Sequence, residues 1–474
     1  MTAPTPSKAR RDEVIDALRR GTVPARGLDL LAVGLERFGP SIDDELARAA
    51  TGGGVFKCIR GEWGSGKTFA SRWIADRARR AGFVTSEIQI SETETPLHQL
   101  QTVYRRLVER LAVGDGDTGA FRSLIDGWFF VLEEDVLADG TVDEHDEAAL
   151  VAGTDRLLEA RLAEVSRTNP TFATVLRAYR RATLDGDLAT ADGLVAWLGG
   201  QPNVAASVKR YAGIKGDVDH AGALSFLQGL LTMIRDSGNS GLLVIIDEVE
   251  TLQRVRSDVR DKSLNALRQL IDEVDGGRFP GLYLLITGTP AFFDGPQGVQ
   301  RLAPLAQRLA VDFSGDPRFD NPRAVQIRLS GFDHDRLVEL GTNVRAVFVA
   351  GSPAAERVES MVDDRYVGDL ADAVAGKLGG QVGIAPRLFL KKLVGDVLDR
   401  VELFDDFDPR RDYQLTVGDA ELSDIERNAE RGAEQGSAPG SEPGSVPGSA
   451  PGPAGLGPDD IDLDLNLDLG TDQG

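Results

Sequence analysis

Gly61-Glu62-Trp63-Gly64-Ser65-Gly66-Lys67-Thr68 brings together the residue types that can hold a triphosphate. The spacing Gly-x4-Gly-Lys-Thr is that of a phosphate-binding loop, or P-loop. Its glycines let consecutive backbone N–H groups curl around phosphate oxygens. A helix beginning at the end of the loop points its positive pole at the same oxygens. Gly61 through Phe69 are therefore expected to bind nucleotide, with Lys67 reaching the β- and γ-phosphates and Thr68 ligating Mg2+. Hydrolysis also needs an acid at the end of another strand. Leu242 to Ile246 is a continuous apolar run that ends on Asp247-Glu248. A buried strand of this kind delivers its last residues to the carboxyl edge of a parallel sheet, where ligands bind. Asp247 is then expected in the Mg2+ shell and Glu248 beside the attacking water.

Further candidates are less specific. Tyr283-Leu-Leu-Ile-Thr287 is another apolar strand, and Thr287 either touches the γ-phosphate or is a plain strand end. Arg301 and Arg308 follow it. One of them, Arg308 by preference, is a candidate arginine finger toward a neighbouring subunit's nucleotide; the alternative is a solvated helix face. Pro386 suits a first helical turn and leaves Arg387 at the positive pole of that helix, where a nucleotide phosphate would compensate it. Glu92 and Glu94 either border the nucleotide or are ordinary helix-entry acids. Arg72, Arg77, Arg79, Arg80, Arg105, Arg106 and Arg110 form either a local basic patch for DNA or solvated faces.

The elements that must position these residues follow from apolar patterning. Continuous or near-continuous runs at 55–59, 83–90, 242–246 and 282–286 read as strands. Helical spacing follows the loop over 69–81, and Leu264, Leu267, Ile271 and Val274 mark a helix between two strands. Residues 8–50 read as helical. Thr95-Pro96 reads as an N-cap and first-turn proline for a helix from Leu97 to Leu111. Strands alternating with helices predict an α/β fold with a parallel-sheet core. Residues 112–221 read as a helical insert, with Trp128 and Phe129 in its core. Five segments result: 8–111 and 222–320 as two parts of the core, 112–221 as the insert, 321–430 as a helical lid, and 431–474 as a tail. The tail repeats a Gly/Ser/Pro unit and then alternates acid and apolar residues in DDIDLDLNLDLG (459–470). Residues 434–474 hold eight acidic and no basic side chains. Composition predicts disorder there. The sharper alternative is a recognition motif that adds a strand to a partner or docks on a basic groove.

Composition closes off other classes. The 474 residues carry 53 basic and 75 acidic side chains, a net charge of −22. Such a chain repels polyanions at long range, so any DNA contact needs a local patch or a partner. The lone Cys58 forbids an internal disulfide, and four scattered histidines offer no zinc spacing. The apolar runs are too short to span a bilayer, and the polar N-terminus lacks a signal-peptide core. A cytoplasmic protein is expected.

The P-loop, the strand-end Asp247-Glu248, Thr287 on the next strand and Gly383-x-x-Pro386-Arg387 occur in the order seen in AAA+ and STAND-like ATPases, which this chain resembles. That resemblance implies sensor roles for Thr287 and Arg387, and adenine contacts among residues 23–38, with Pro24, Arg26 and Gly27 as candidates. Lys67 and Asp247 lie 180 residues apart, more than in most such cores, which fits the insert. A closer resemblance, spanning about residues 10–425, is carried by VPARGLDLLAVGLERF (23–38), RGEWGSGKTFASRWIADRARRAGF (60–83) and EIQISETETPLHQLQTVYRRLVERL (87–111). These look like the ATP-binding proteins of BREX (bacteriophage exclusion) systems. The resemblance implies a bacterial ATPase of antiviral defence with ATP and Mg2+ as cofactors, helicase and methyltransferase components as partners, and self-association. A nucleotide-gated scaffold without turnover and a STAND-type signalling ATPase are the alternatives.

Overall fold

The computed structural model describes residues 7–377 and 386–416, apart from residues 115, 117, 141 and 144. The expectations for Gly383, for residues 417–430 of the lid and for the tail 431–474 lie outside the described residues.

The four apolar runs become the sheet's core. Its strands are β1 (Val55–Arg60), β2 (Phe83–Gln89), β3 (Leu111–Ala112), β4 (Gly241–Asp247), β5 (Leu282–Gly288) and β6 (Gln326–Arg328). Their order is β3-β2-β4-β5-β1-β6. All neighbours are parallel except β3, which runs antiparallel to β2. Every residue of β4 and β5 is buried, as a sheet covered on both faces requires. β3 and β6 were not anticipated: two and three residues are too short for a periodic signal. Lys57 is the clue to β6. Fully buried within β1, its Nζ donates to the carbonyls of Pro322 and Ala324, both at 2.9 Å, and pairs with Glu45. A buried cation is tolerable only with such partners, and these fix the segment that enters β6.

The N-terminal stretch departs from the helical expectation over 8–50. It forms α1 (Lys8–Arg19) and α2 (Gly39–Ala50), with two short 3-10 turns between them. Gly21, Gly27 and Gly34 take positive φ there, which ends helical continuity. After α3 (Lys67–Arg80), the next helix α4 is Leu100–Glu109, shorter than predicted. Thr95 is not its cap. Instead Ser91 Oγ accepts the N–H groups of Glu94 and Thr95 at 3.0 Å, closing a polar turn before Pro96.

The insert is helical as expected: α5 (Phe121–Ala138), α6 (Glu147–Arg161), α7 (Ala163–Thr168), α8 (Pro170–Leu184), α9 (Leu188–Leu198) and α10 (Ala206–Tyr211), leading to α11 (His220–Asp236). It does not build a separate core. Trp128, Phe172 and Leu194 join one apolar cluster with Leu230, Ile246 and Leu284, so the insert thickens one face of the sheet. Trp128 is fully buried and its Nε1 donates to Asp236 at 2.6 Å, and Phe129 is buried beside it. Packing in this layer is tight. A Cβ at Gly229 would sit 2.6 Å from a Phe172 ring carbon. Gly229→Ala is expected to lower unfolding stability by about 1–3 kcal/mol, read as a shifted urea midpoint at unchanged slope.

The rest of the core comprises α12 (Ser257–Asp275), α13 (Pro290–Asp294) and α14 (Ala303–Leu309). The C-terminal helices are α15 (His334–Val349), α16 (Ala355–Met361), α17 (Asp364–Lys377) and α18 (Pro386–Lys391). The last continues through a π-turn, Lys392–Leu398, into α19 (Asp399–Leu403). Val14, Ile15 and Leu18 of α1 share a cluster with Leu337, Leu340 and Phe389. The first helix therefore packs with the C-terminal helices and not with the sheet. Among the described residues no helix is long and apolar enough to cross a membrane.

Candidate functional site

β1 ends at Arg60 and the chain turns through 61–66 into α3. Gly66 caps α3 at φ 88°, a left-handed conformation that favours glycine. At Gly61 the constraint is space, since a Cβ there would lie 2.3 Å from Ser65 Oγ. Lys67 curls back over the loop: Nζ donates to the carbonyls of Gly61 at 3.0 Å and Glu62 at 3.3 Å, and sits 5.0 Å from the centre of the Trp63 ring.

β4 brings the acids to the same place. Thr68 Oγ1 donates to Asp247 Oδ2 at 3.1 Å, so residues 179 positions apart in sequence share one site. Asp247 is 5% exposed, and its other oxygen accepts the Glu248 N–H at 3.0 Å and the Thr287 hydroxyl. Thr287 is fully buried, and its hydroxyl donates to Asp247. It holds the aspartate. Glu248 is a non-glycine residue at φ 59°, ψ 41°. Such left-handed backbone costs about 1–3 kcal/mol and marks functional positions when the surroundings enforce it. Glu248 Oε2 accepts a hydrogen bond from Gln89 Nε2 at 2.6 Å.

Two residues here escaped the sequence. Gln89 is the last residue of β2, at the same carboxyl edge as Asp247, and a polar strand end was the available signal. Glu250 stands two residues past Glu248. It is 4% exposed, lies 3.6 Å from Lys67 Nζ, and neither carboxylate oxygen has a hydrogen bond. Burial pushes its pKa up, while the Lys67 ammonium opposes that shift. The acidic spacing in Asp247-Glu248-Val249-Glu250 was visible, but burial was not.

A cavity of about 310 Å³ joins these groups to the C-terminal helices. Gly66, Lys67, Thr68, Asp247 and Glu248 line one end; Val23, Pro24, Leu31, Phe69, Phe332 and Leu340 line an apolar end. Its size and division into polar and apolar parts suit a nucleotide. Pro24 lines it as expected, whereas Arg26 and Gly27 do not. Gly27 packs on α1, where a Cβ would meet Val14 at 2.7 Å. Arg387 lines the cavity from α18. Glu62 and Ser65 belong to the loop but not to the lining. The paired hydroxyl and carboxylate of Thr68 and Asp247 are hard oxygen donors of the kind that hold Mg2+ alongside phosphate oxygens and water.

Other candidates lie elsewhere. Arg308 pairs with Asp272 near the end of α12 and donates to Pro304 O at 2.9 Å. That end of α12 abuts Gly54, where a Cβ would be 2.5 Å from Val274 O. Arg308 is thus at the amino edge of the sheet, away from this chain's own loop. Arg301 pairs with Asp261 and donates to Ser257 Oγ at 2.7 Å, at the other end of α12. Glu94 pairs with Arg106, and neither Glu92 nor Glu94 lines the nucleotide cavity. The basic residues are largely matched: Arg72 with Glu87, Arg77 with Asp43, Arg79 and Arg80 with Asp76, and Arg105 and Arg106 with Glu109.

Searches of curated proteins and of solved structures returned no match. One family model does match, that of the BREX system ATP-binding protein BrxC/D, over residues 7–417. That span contains the whole strand-loop-helix, β4 with its acids and the helices that close the cavity, and the chain belongs to this family of ATP-binding proteins of BREX anti-phage systems.

Proposed function

We propose that the chain hydrolyses ATP in a Mg2+-dependent cycle that switches or drives a BREX complex on DNA. The observation that carries this reading is the 3.1 Å contact between Thr68 and Asp247, with Glu248 next to it on a strained backbone. The loop N–H groups and Lys67 bind the β- and γ-phosphates, while Thr68 and Asp247 hold Mg2+, which neutralises charge on the phosphates. Thr287 fixes the Asp247 carboxylate through its hydroxyl. Glu248 accepts a hydrogen bond from the water that attacks the γ-phosphorus. The bond from that phosphorus to the β–γ bridging oxygen breaks, ADP leaves, and the water's proton ends on inorganic phosphate. Arg387 contacts phosphate from the lid side. An arginine acting on a neighbouring subunit's nucleotide would come from Arg308 or Arg301.

Membership of a BREX system implies other BREX proteins as partners. Helicase and methyltransferase components are the partners proposed here. A nucleotide-gated scaffold is the second reading, favoured by the Gln89–Glu248 hydrogen bond, which holds one oxygen of the carboxylate that hydrolysis needs. Phosphate release measured with and without Mg2+ tests the proposal. Wild type is expected to turn over ATP only with the metal, and Asp247→Asn to lose turnover by ~10²-fold or more, as removal of a charge-stabilising group does. ATP binding without any turnover, with or without DNA, would leave the scaffold.

A further inference from the structure

β2 has an unfinished edge. β3 pairs only with Thr85 and Ser86. The Ile90 N–H donates to Asp247 O at 3.0 Å, so alternation along the strand aims the backbone groups of Glu87 and Gln89 away from β4. Among the described residues no strand pairs with them on that side. A cavity of about 730 Å³ opens there. Arg72 and Arg79 of α3, Arg106 of α4 and Arg110 just past its end line it, against Glu87 and Glu94. Arg110 is exposed, and among the described residues no carboxylate pairs with it. Arg72, Arg79 and Arg106 are ion-paired, so the unmatched positive charge beside this open strand edge is that of Arg110.

The same chain carries a segment with the complementary pattern. Asp460, Asp462, Asp464 and Asp468 alternate with Ile461, Leu463, Leu465, Leu467 and Leu469. Extended, the segment would place Asp460, Asp462 and Asp464 on one face at intervals of about 6.7 Å, with Asn466 before Asp468, and its apolar side chains on the other. α3 and α4 cover opposite faces of the sheet, and we propose that this acidic segment docks in cis as an added strand on β2 at Glu87–Gln89, its carboxylates on the α4 face toward Arg106 and Arg110. Residues 417–458 link it to the described fold. The Gly/Ser/Pro-rich part alone, residues 436–455, would span roughly 25 Å r.m.s. as a flexible coil, against a radius of gyration near 21 Å for a fold of this size. Tethering at that range supplies an effective concentration of about millimolar. A peptide satisfies the open N–H and C=O groups, which a nucleic acid backbone cannot do in register. Glu87 and Glu94 would also repel phosphates. The edge ends on Gln89, whose amide holds Glu248, so an added strand bears directly on the nucleotide site.

The docking does not depend on hydrolysis and is tested on the full chain without nucleotide. Hydrogen exchange is measured at the Glu87 and Gln89 amides. Exchange should be at least tenfold slower in wild type than after Asp460→Lys, Asp462→Lys, Asp464→Lys and Asp468→Lys together, which alters no residue of the described fold. Arg106→Glu with Arg110→Glu should release the amides equally, and combining both charge reversals should restore protection. Equal exchange in wild type and the lysine-tail variant overturns the proposal. Protection that rises with protein concentration overturns the assignment in cis and gives the edge to a second copy. Protection that appears only when a single-stranded oligonucleotide is added gives it to nucleic acid.

Discussion

Glu248→Gln should lower ATP turnover by ~10²–10⁴-fold, the range for loss of a general base, while ATP affinity stays within a few-fold. Glutamine keeps the shape of the side chain and its contact with Gln89, but its neutral amide cannot relay the attacking water's proton to the departing phosphate as a carboxylate can. The loop, Lys67 and the Thr68–Asp247 pair are untouched, so nucleotide still binds and accumulates unhydrolysed. Single-turnover phosphate release alongside equilibrium ATP binding separates the two effects. Equal rates in variant and wild type would remove Glu248 from the mechanism. A parallel collapse of affinity would mean that the substitution disturbs the left-handed turn at 248 and not the chemistry.

Lys67→Ala is expected to have two consequences. Losing charge-assisted contacts worth ~1.5–3 kcal/mol weakens ATP binding by about 10–100-fold. The second concerns Glu250, which loses its ion pair with Lys67. Removing one partner of a buried ion pair costs up to about 3–5 kcal/mol unless the remaining group neutralises. Glu250 neutralises by binding a proton. Its folded pKa is raised above the ordinary carboxylate value, so the folded state holds more protons than the unfolded one. Stability of such a group falls as pH rises above the carboxylate range. The variant's stability deficit should therefore be larger at pH 8 than at pH 5 in urea unfolding. Adding Glu250→Gln should recover stability at pH 8 without restoring nucleotide affinity. An identical deficit at both pH values would show that Glu250 is not the group left unpaired.

The nucleotide loop and its acids were legible because both are written locally. Gly61 to Thr68 encodes a backbone shape, and Leu242 to Asp247 encodes a buried strand with an acid at its end. The tighter details needed neighbours. Thr287 read as a group for phosphate or water or as a plain strand end, and its hydroxyl bond to Asp247 appears only once β4 and β5 lie side by side. Arg308 looked available to a neighbouring site, and it is ion-paired at the opposite edge of this chain's sheet. Residues 8–50 were read as helix from a handful of apolar positions. Left-handed glycines interrupt them, and Val14 and Leu46 belong to different cores.

The sequence by itself determined the triphosphate loop, the acidic pair, the alternation of strands with helices and the helical insert, because residue type and spacing fix each within a few turns of chain. Only the tertiary structure decided that Gln89 restrains Glu248, that Glu250 faces Lys67 in a buried pair, and that β2 is left with an open, arginine-walled edge. These depend on strand order and burial, which bring distant residues within a few ångströms and set what each charge must pair with.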